Sequence, residues 1–206
     1  MSKNGGIIGP ENKPGSSPVA AKVTSFTSSG PFERNAGAPS TVHMLVVAGG
    51  GGAGPYCGGG GAGGMVESPA YDFGTATGPF AVTIGGGGTG TGTQDAGVTA
   101  RKGGNSVFAN PAPGPQFGTV TALAGGAHAP NAYLPSASDM HGGSGAAGSG
   151  TATQATGGEG TQGDSGGGTG YGNDGGTGER SGGTDRGGGG GGANAAGANG
   201  QTSAGG

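Results

Sequence analysis

The last 65 residues of the chain, 142–206, hold 29 glycines and not one Val, Ile, Leu, Met or Phe. Tyr171 is the only sizeable apolar side chain among them. Folding is ordinarily driven by apolar area leaving water, at roughly 25 cal/mol per Å2, and this third of the chain has almost none to bury. Two outcomes remain for it. Either it is a flexible glycine-rich linker, or main-chain hydrogen bonds alone order it.

The second outcome has a definite physical form. Glycine lacks Cβ, so neighbouring segments can approach to backbone contact. In the polyproline II conformation there are no internal hydrogen bonds, and every N–H and C=O points outward and needs a partner. Glycine-rich segments in this conformation pack as polyglycine II, bonding to neighbours on all sides of a hexagonal lattice. Fixing each backbone unit costs about 1–2 kcal/mol, so only dense, cooperative bonding between segments offsets it. The sequence has the pieces: runs at Gly49–Gly54, Gly58–Gly64, Gly85–Gly92, Gly125–Gly126, Gly142–Gly150, Gly157–Gly170, Gly172–Gly178, Gly182–Gly183 and Gly187–Gly192. Polar loops separate them at Thr89–Lys102, His128–His141, Thr151–Thr156, Tyr171–Asp174 and Glu179–Asp185.

Three parts follow. Residues 1–41 carry prolines at 10, 14, 18, 31 and 39 and read as an extended arm with at most one short strand. The arm is either a flexible tail or a docking arm that orders on a partner through Ile7, Ile8, Val19, Val23, Phe26 and Phe32. Residues 42–141 carry nearly all the large apolar side chains and read as a small β module. Val42–Ala48 is apolar on both faces apart from His43, which predicts a strand buried on both sides. Phe80–Ile84 alternates, and Asn105–Phe108 and Phe117–Leu123 are further strands. No segment has helical periodicity. Residues 142–206 are the glycine third. Val47 leads into Gly49 and Ile84 into Gly85, so the β module is placed to seed the bundle and fix its register. The expected fold is therefore mainly β and irregular: a small β module, then a polyglycine II bundle, with essentially no α-helix.

Composition removes several function classes. Glycine makes up 61 of 206 residues, against about 7 % on average, yet it does not recur every third residue, and 13 prolines are too few for collagen. No apolar run approaches the ~20 residues of a membrane span, so no membrane insertion is expected. Ile7–Ile8 is not the apolar core of a secretory signal, so assembly in a host cytoplasm and release with a particle is the expected route outward. A net charge of −3 does not suit nucleic acid, and Arg180 and Arg186 cannot neutralise enough phosphate.

Chemical motifs are weak. Gly-x-Gly-x-x-Gly patterns recur by chance, none between a buried strand and a helix. Gly175–Arg180 has Arg180 where a calcium-binding glycine repeat places aspartate, and no apolar residue follows. His43, His128 and His141 are the only histidines; His128 and His141 flank a loop with Asp139 and read as exposed loop residues. The single cysteine, Cys57, has no evident His or Asn partner. No acid–base or nucleophile constellation is present, so no enzyme and no cofactor or resident metal is expected. Loops at the ends of a rigid scaffold carry recognition. The candidate receptor-binding residues are Tyr133, Leu134, Asp139, His141, Tyr171, Asn173, Asp174, Glu179 and Arg180.

The succession MLVVAGGGGAG, GGGGAGGMVE, FAVTIGGGGTG, GGNSVFANP and VTALAGG resembles a glycine-rich domain common in bacteriophage structural proteins, over roughly residues 42–206. The opening SKNGGIIGP is similar to the start of virion proteins of marine, cyanophage-like viruses. In the same structural class are the tail-fibre tip adhesins of T-even-type phages, whose glycine motifs pack as a polyglycine II sandwich with receptor-contacting loops at the far end. The resemblance implies a virion protein, a fibre tip or appendage adhesin. Its partners would be other fibre or capsid subunits, a host cell-surface protein or glycan, and further copies of itself in a trimer. A capsid decoration or assembly protein without receptor contact is the alternative within that class. A polyglycine II ice-binding protein is the alternative outside it. Family members often close with a hydrophobic strand after the last glycine run, where this chain reads Ser203-Ala204-Gly205-Gly206; a partner subunit completing an open edge is the matching expectation.

Overall fold

The computed structural model describes residues 22–35, 37–54, 58–91, 101–110, 118–128, 137–150 and 155–201. Among these the fold is mainly β and irregular, with a single helical turn, α1 (Ala137–Met140). Two antiparallel sheets carry most of the strands. The first is ordered β1-β4-β5-β6, from β1 (Gly30–Phe32), β4 (Phe80–Thr83), β5 (Ser106–Ala109) and β6 (Val120–Ala122). The second is ordered β2-β3-β7, from β2 (Thr41–Val47), β3 (Met65–Asp72) and β7 (Thr169–Tyr171). They pack face to face, β2 against β5 and β6, and β3 against β6.

The core between them is aromatic. Phe80 stacks on Phe108 at 5.3 Å between ring centroids and lies 5.0 Å from Phe73. Tyr71 is fully buried, which is tolerable because its hydroxyl donates to the Gly118 carbonyl at 2.9 Å and accepts from Asn110 Nδ2 at 3.2 Å.

Phe32, expected to anchor a docking arm, belongs to this core. β1 pairs with β4, Phe32 opposite Phe80, and the two rings stack at 5.9 Å. Phe26 meets Phe32 edge-on, and Ser29 Oγ accepts a hydrogen bond from the Ile84 amide. The aromatic residues of the arm are thus satisfied within the chain, because the small sandwich needs them to close its own core. Val23 is 88 % exposed; Ile7, Ile8 and Val19 lie outside the described residues.

β2 differs from the strand buried on both sides that its sequence suggests. Its side chains alternate, Val42, Met44 and Val46 half-buried, Leu45 and Val47 at 57 % and 53 % exposure. Among the described residues only one sheet packs on it, so only one face is covered. Its partner β3 contains Pro69, which has no amide for the ladder. The pairing steps from Met44↔Ser68 to Val42↔Tyr71, so Pro69 and Ala70 together oppose His43: a bulge on β3 absorbs the proline.

Apart from Thr169 and Gly170 in β7, the described residues of the glycine runs lie outside helix and strand and are laced by long-range backbone bonds. The run at 49–53 exchanges hydrogen bonds with four others: through Gly61, Gly88 and Thr91, Arg101 and Gly104, and Gly125 and His128. A strand in a sheet has neighbours on two sides in one plane. Bonding to four is the pattern a polyglycine II lattice requires and a sheet cannot give. The run at 142–150 is central. Every residue in it is buried. It bonds to Gly59, to Ala124 and Gly126, to residues 158–162, to Asn173 and Gly176, and to Gly188 and Gly191. This run holds only Gly, Ala and Ser, side chains small enough to enter such a lattice.

Two expected boundaries therefore dissolve. The runs on either side of residue 141 interleave in one bundle. Tyr171–Asp174 is no loop, since β7 continues straight into the run at 172–178. A turn falls instead at Ser165–Gly168, inside what reads as a glycine run, with Gly166 and Gly167 at φ of 57° and 81°.

Candidate recognition end

The bundle has two unlike ends. At one, runs join strands: Val47 to Gly49, Gly64 to Met65, Ile84 to Gly85, Gly104 to Ser106 and Ala122 to Ala124. The other end is reached by following the hydrogen bonds outward. Gly52 accepts from His128 and donates to Arg101, and Ala53 accepts from Thr91. Ala147 donates to Gly59, Gly188 donates to Gly148, and Ala155 and Gly178 exchange bonds. The run ends at Gly54, Gly58, Thr91, Arg101, His128, Gly150, Ala155, Gly178 and Gly187 thus gather opposite the sandwich.

One connection at this end is fully described. β8 (Glu179–Ser181) and β9 (Thr184–Arg186) form a hairpin, Arg180 opposite Asp185 and Glu179 opposite Arg186. Gly182 and Gly183, at φ of 59° and 79°, make the two-residue turn that matches strand twist. Arg180 Nε meets Asp185 Oδ1 at 3.3 Å. The Ser-Gly-Gly-Thr sequence between Arg180 and Asp185 is the local signal for this hairpin, within a stretch that reads as a polar loop. The hairpin is polar and charged on exposed strands, suited to hydrogen-bonding contact with a sugar or a protein loop.

The other candidate residues divide. Glu179 and Arg180 stand at the hairpin end. Asn173 and Asp174 do not: Asn173 Nδ2 donates to the Gly192 and Ala193 carbonyls at 2.9 and 3.0 Å, and Asp174 Oδ1 accepts from the Gly160 amide at 2.7 Å. Both stitch neighbouring runs together, because a carboxylate or amide supplies the bond where a run loses its glycine partner. His141 Nδ1 accepts from the Glu159 amide at 2.8 Å. Asp139 sits in α1, its carbonyl accepting from Ala127. Tyr171 lies on the outer face of the β2-β3-β7 sheet, paired with Met65. Tyr133, Leu134 and Cys57 lie outside the described residues.

His128 departs from the exposed loop residue its position suggests. It is 1 % exposed, and neither ring nitrogen meets a well-aligned partner. Burial pushes its pKa below the ordinary 6.5, and the nearby Ala147 backbone offsets this only in part. The unfolded chain therefore takes up a proton near pH 6.5 that the folded chain refuses until lower pH. This contribution to stability is complete above about 6.5 and is lost as pH falls through that value toward the depressed native one, by at most about 1.4 kcal/mol per pH unit. The expected result is a urea midpoint that drops between pH 7 and 5 in the native chain and stays flatter in His128→Leu. Equal slopes in the two proteins would remove His128 from the account.

Among the described residues no group of three or more His, Cys, Asp or Glu side chains could hold a metal ion, and no helix is long and apolar enough to cross a membrane. Comparison with protein-family models, with curated proteins and with solved structures found no match for this chain.

Proposed function

We propose that this chain is a virion structural protein, a tail-fibre tip or appendage adhesin that presents its recognition surface at the hairpin end of the glycine bundle and attaches to the particle at the sandwich end. One observation carries the reading: the described ends of the runs gather opposite the β-sandwich, on rods held by main-chain bonds. A rigid scaffold with its rod ends gathered at one tip tolerates sequence change there without loss of fold. Glycine, rather than a large apolar core, supplies the rigidity.

The experiment is adsorption. Purified protein should bind susceptible cells and block infection by particles that carry it. The double variant Arg180→Ala/Asp185→Ala should stay folded and lose the block. Binding to particles without binding to any cell would overturn the adhesin reading in favour of a capsid decoration. Binding to neither would overturn the virion assignment as well.

A further inference from the structure

The dipeptide Asn-Gly occurs at Asn199–Gly200 and at Asn4–Gly5, the latter outside the described residues. It is the asparagine context most open to attack by its own backbone. The nitrogen of the following residue can reach the side-chain carbonyl carbon, and glycine has no Cβ to obstruct the approach. Asn194, exposed on the same stretch, is followed by Ala195 and lacks that opening.

Packing calls for both residues. The rod at 197–200 lies against the run at 174–177. Gly197 donates to the Asp174 carbonyl and Gly200 to the Thr177 carbonyl, each at 2.8 Å, so the two advance in step, three residues at a time. Gly189 donates to the Ala198 carbonyl at 2.7 Å. A Cβ on Gly200 would land on the Arg186 carbonyl, so glycine is the residue that fits. The Thr177 amide takes its acceptor from a side chain, Asn199 Oδ1, at 2.8 Å.

Thr177 therefore holds both reacting groups. Its carbonyl holds the Gly200 N–H, and its amide holds Asn199 Oδ1. While both bonds stand, the nitrogen keeps its proton and the side-chain carbonyl stays on Thr177. The hold is local. Asn194, Ala195, Ala196, Ala198 and Asn199 are exposed, and the bonds just named are the ties of residues 197–200 to the bundle among the described residues. A segment held by a few exposed bonds opens at a fraction of the cost of global unfolding.

From this geometry we infer that Asn199–Gly200 is a one-way latch: a deamidation site that is shut while the rod is docked on Thr177, reacts when the rod lifts, and as isoaspartate cannot dock again. The steps balance. The Gly200 nitrogen, its proton taken by solvent base, bonds to Asn199 Cγ. The Cγ–Nδ2 bond breaks and ammonia leaves, giving a succinimide. Water opens the ring at either carbonyl, to aspartate or to isoaspartate. Aspartate restores an acceptor for the Thr177 amide. In isoaspartate the main chain runs through Cβ and Cγ, so the former Oδ1 and the Gly200 N–H share one trans peptide unit and point in opposite directions. They can no longer both reach Thr177. The latch concerns this chain alone and stands without the host-recognition reading.

The test incubates the full chain and a capped peptide of residues 196–201, Ala-Gly-Ala-Asn-Gly-Gln, in mildly alkaline buffer. Deamidation and isoaspartate are followed by mass spectrometry. The peptide should react at least tenfold faster than Asn199 in the native chain, and Asn194 should stay unreacted. In Gly197→Ala the methyl would land on the Gly189 carbonyl, which lifts the rod without touching the reacting pair. This variant should react at the peptide's rate while the 142–150 amides stay protected from hydrogen exchange. Native chain that has aged to isoaspartate should lose protection at the Thr177 amide. Asn199→Asp, which has the charge without the longer main chain, should keep it. Equal rates in native chain and peptide overturn the inference. So does a Gly197→Ala chain no faster than the native one, or an isoaspartate chain whose Thr177 amide stays protected. The peptide comparison and the aged chain decide the matter even where Gly197→Ala unfolds.

Discussion

Gly51→Ala is expected to unfold the bundle, and Gly86→Ala to leave it intact. The two glycines belong to adjacent runs and differ only in what surrounds them. A methyl group on Gly51 would land on the carbonyl of Gly126, far inside the 3.0 Å that Cβ atoms keep. The obstacle is backbone, and it cannot retreat. Gly126 accepts from Gly61 and donates to the Ser144 carbonyl at 2.9 Å in each case, so moving it breaks bonds to two further runs. The expected loss is on the order of 4 kcal/mol or more, at the upper end of overpacking effects. A Cβ on Gly86 meets nothing within 4 Å, and that glycine is not in the left-handed region. Alanine there restricts the unfolded chain and is expected to stabilise by about 0.4–1 kcal/mol. Urea midpoints measure both. Amide exchange supplies the second readout: residues 142–150 should be strongly protected in the native chain and in Gly86→Ala and lose protection in Gly51→Ala. Fast exchange over that run in the native chain would end the case for a bundle held by main-chain bonds.

Phe80→Ala is expected to cost about 3–5 kcal/mol, the usual range for removing a buried phenylalanine. Phe80 is fully buried and touches Phe32, Phe73 and Phe108. Its effect should not stop at the sandwich. β4 leads from Phe80 through Ile84 into the run beginning at Gly85, and Gly49, Gly64 and Gly104 join strands in the same way. A loosened sheet frees the starting points of these runs, and rods with no side-chain packing have little else to hold their register. The aromatic signal and the protection of the 142–150 amides should therefore disappear at one urea concentration, shifted equally by the substitution. Val23→Ala, at an 88 % exposed position, should change neither. Two separate transitions, with the glycine run surviving loss of the aromatic core, would show that the bundle stands without its seed.

Much of the fold was legible beforehand because the signals were local. Phe80–Ile84 alternates, and β4 buries Phe80 and Val82 while exposing Ala81 and Thr83. The glycine runs predict rods, and the polar stretch Glu179–Asp185 marks where two of them end, whereas Tyr171–Asp174 marks no end. Less could be read where a long-range contact decides. The apolar residues of β2 are equally compatible with burial on both faces or one; among the described residues no second sheet packs on it, and Leu45 and Val47 are exposed. Phe32 carries no mark distinguishing a partner's anchor from a core ring; its pairing with Phe80, 48 positions along the chain, settles that. Asn173 and Asp174 are polar residues in polar surroundings, and their bonds to Gly160, Gly192 and Ala193 exist only because those runs lie beside them.

Composition alone dictates that no large apolar core can organise the final third, and hence that any order there must come from the main chain. That follows from composition, because burial needs apolar area and glycine has none. Which runs are neighbours is settled by the long-range hydrogen bonds. A glycine amide is identical to every other, so nothing local states that the run at 142–150 is central or that Gly51 lies against Gly126. The register comes from the strands at one end, and with it the gathering of the run ends at the other.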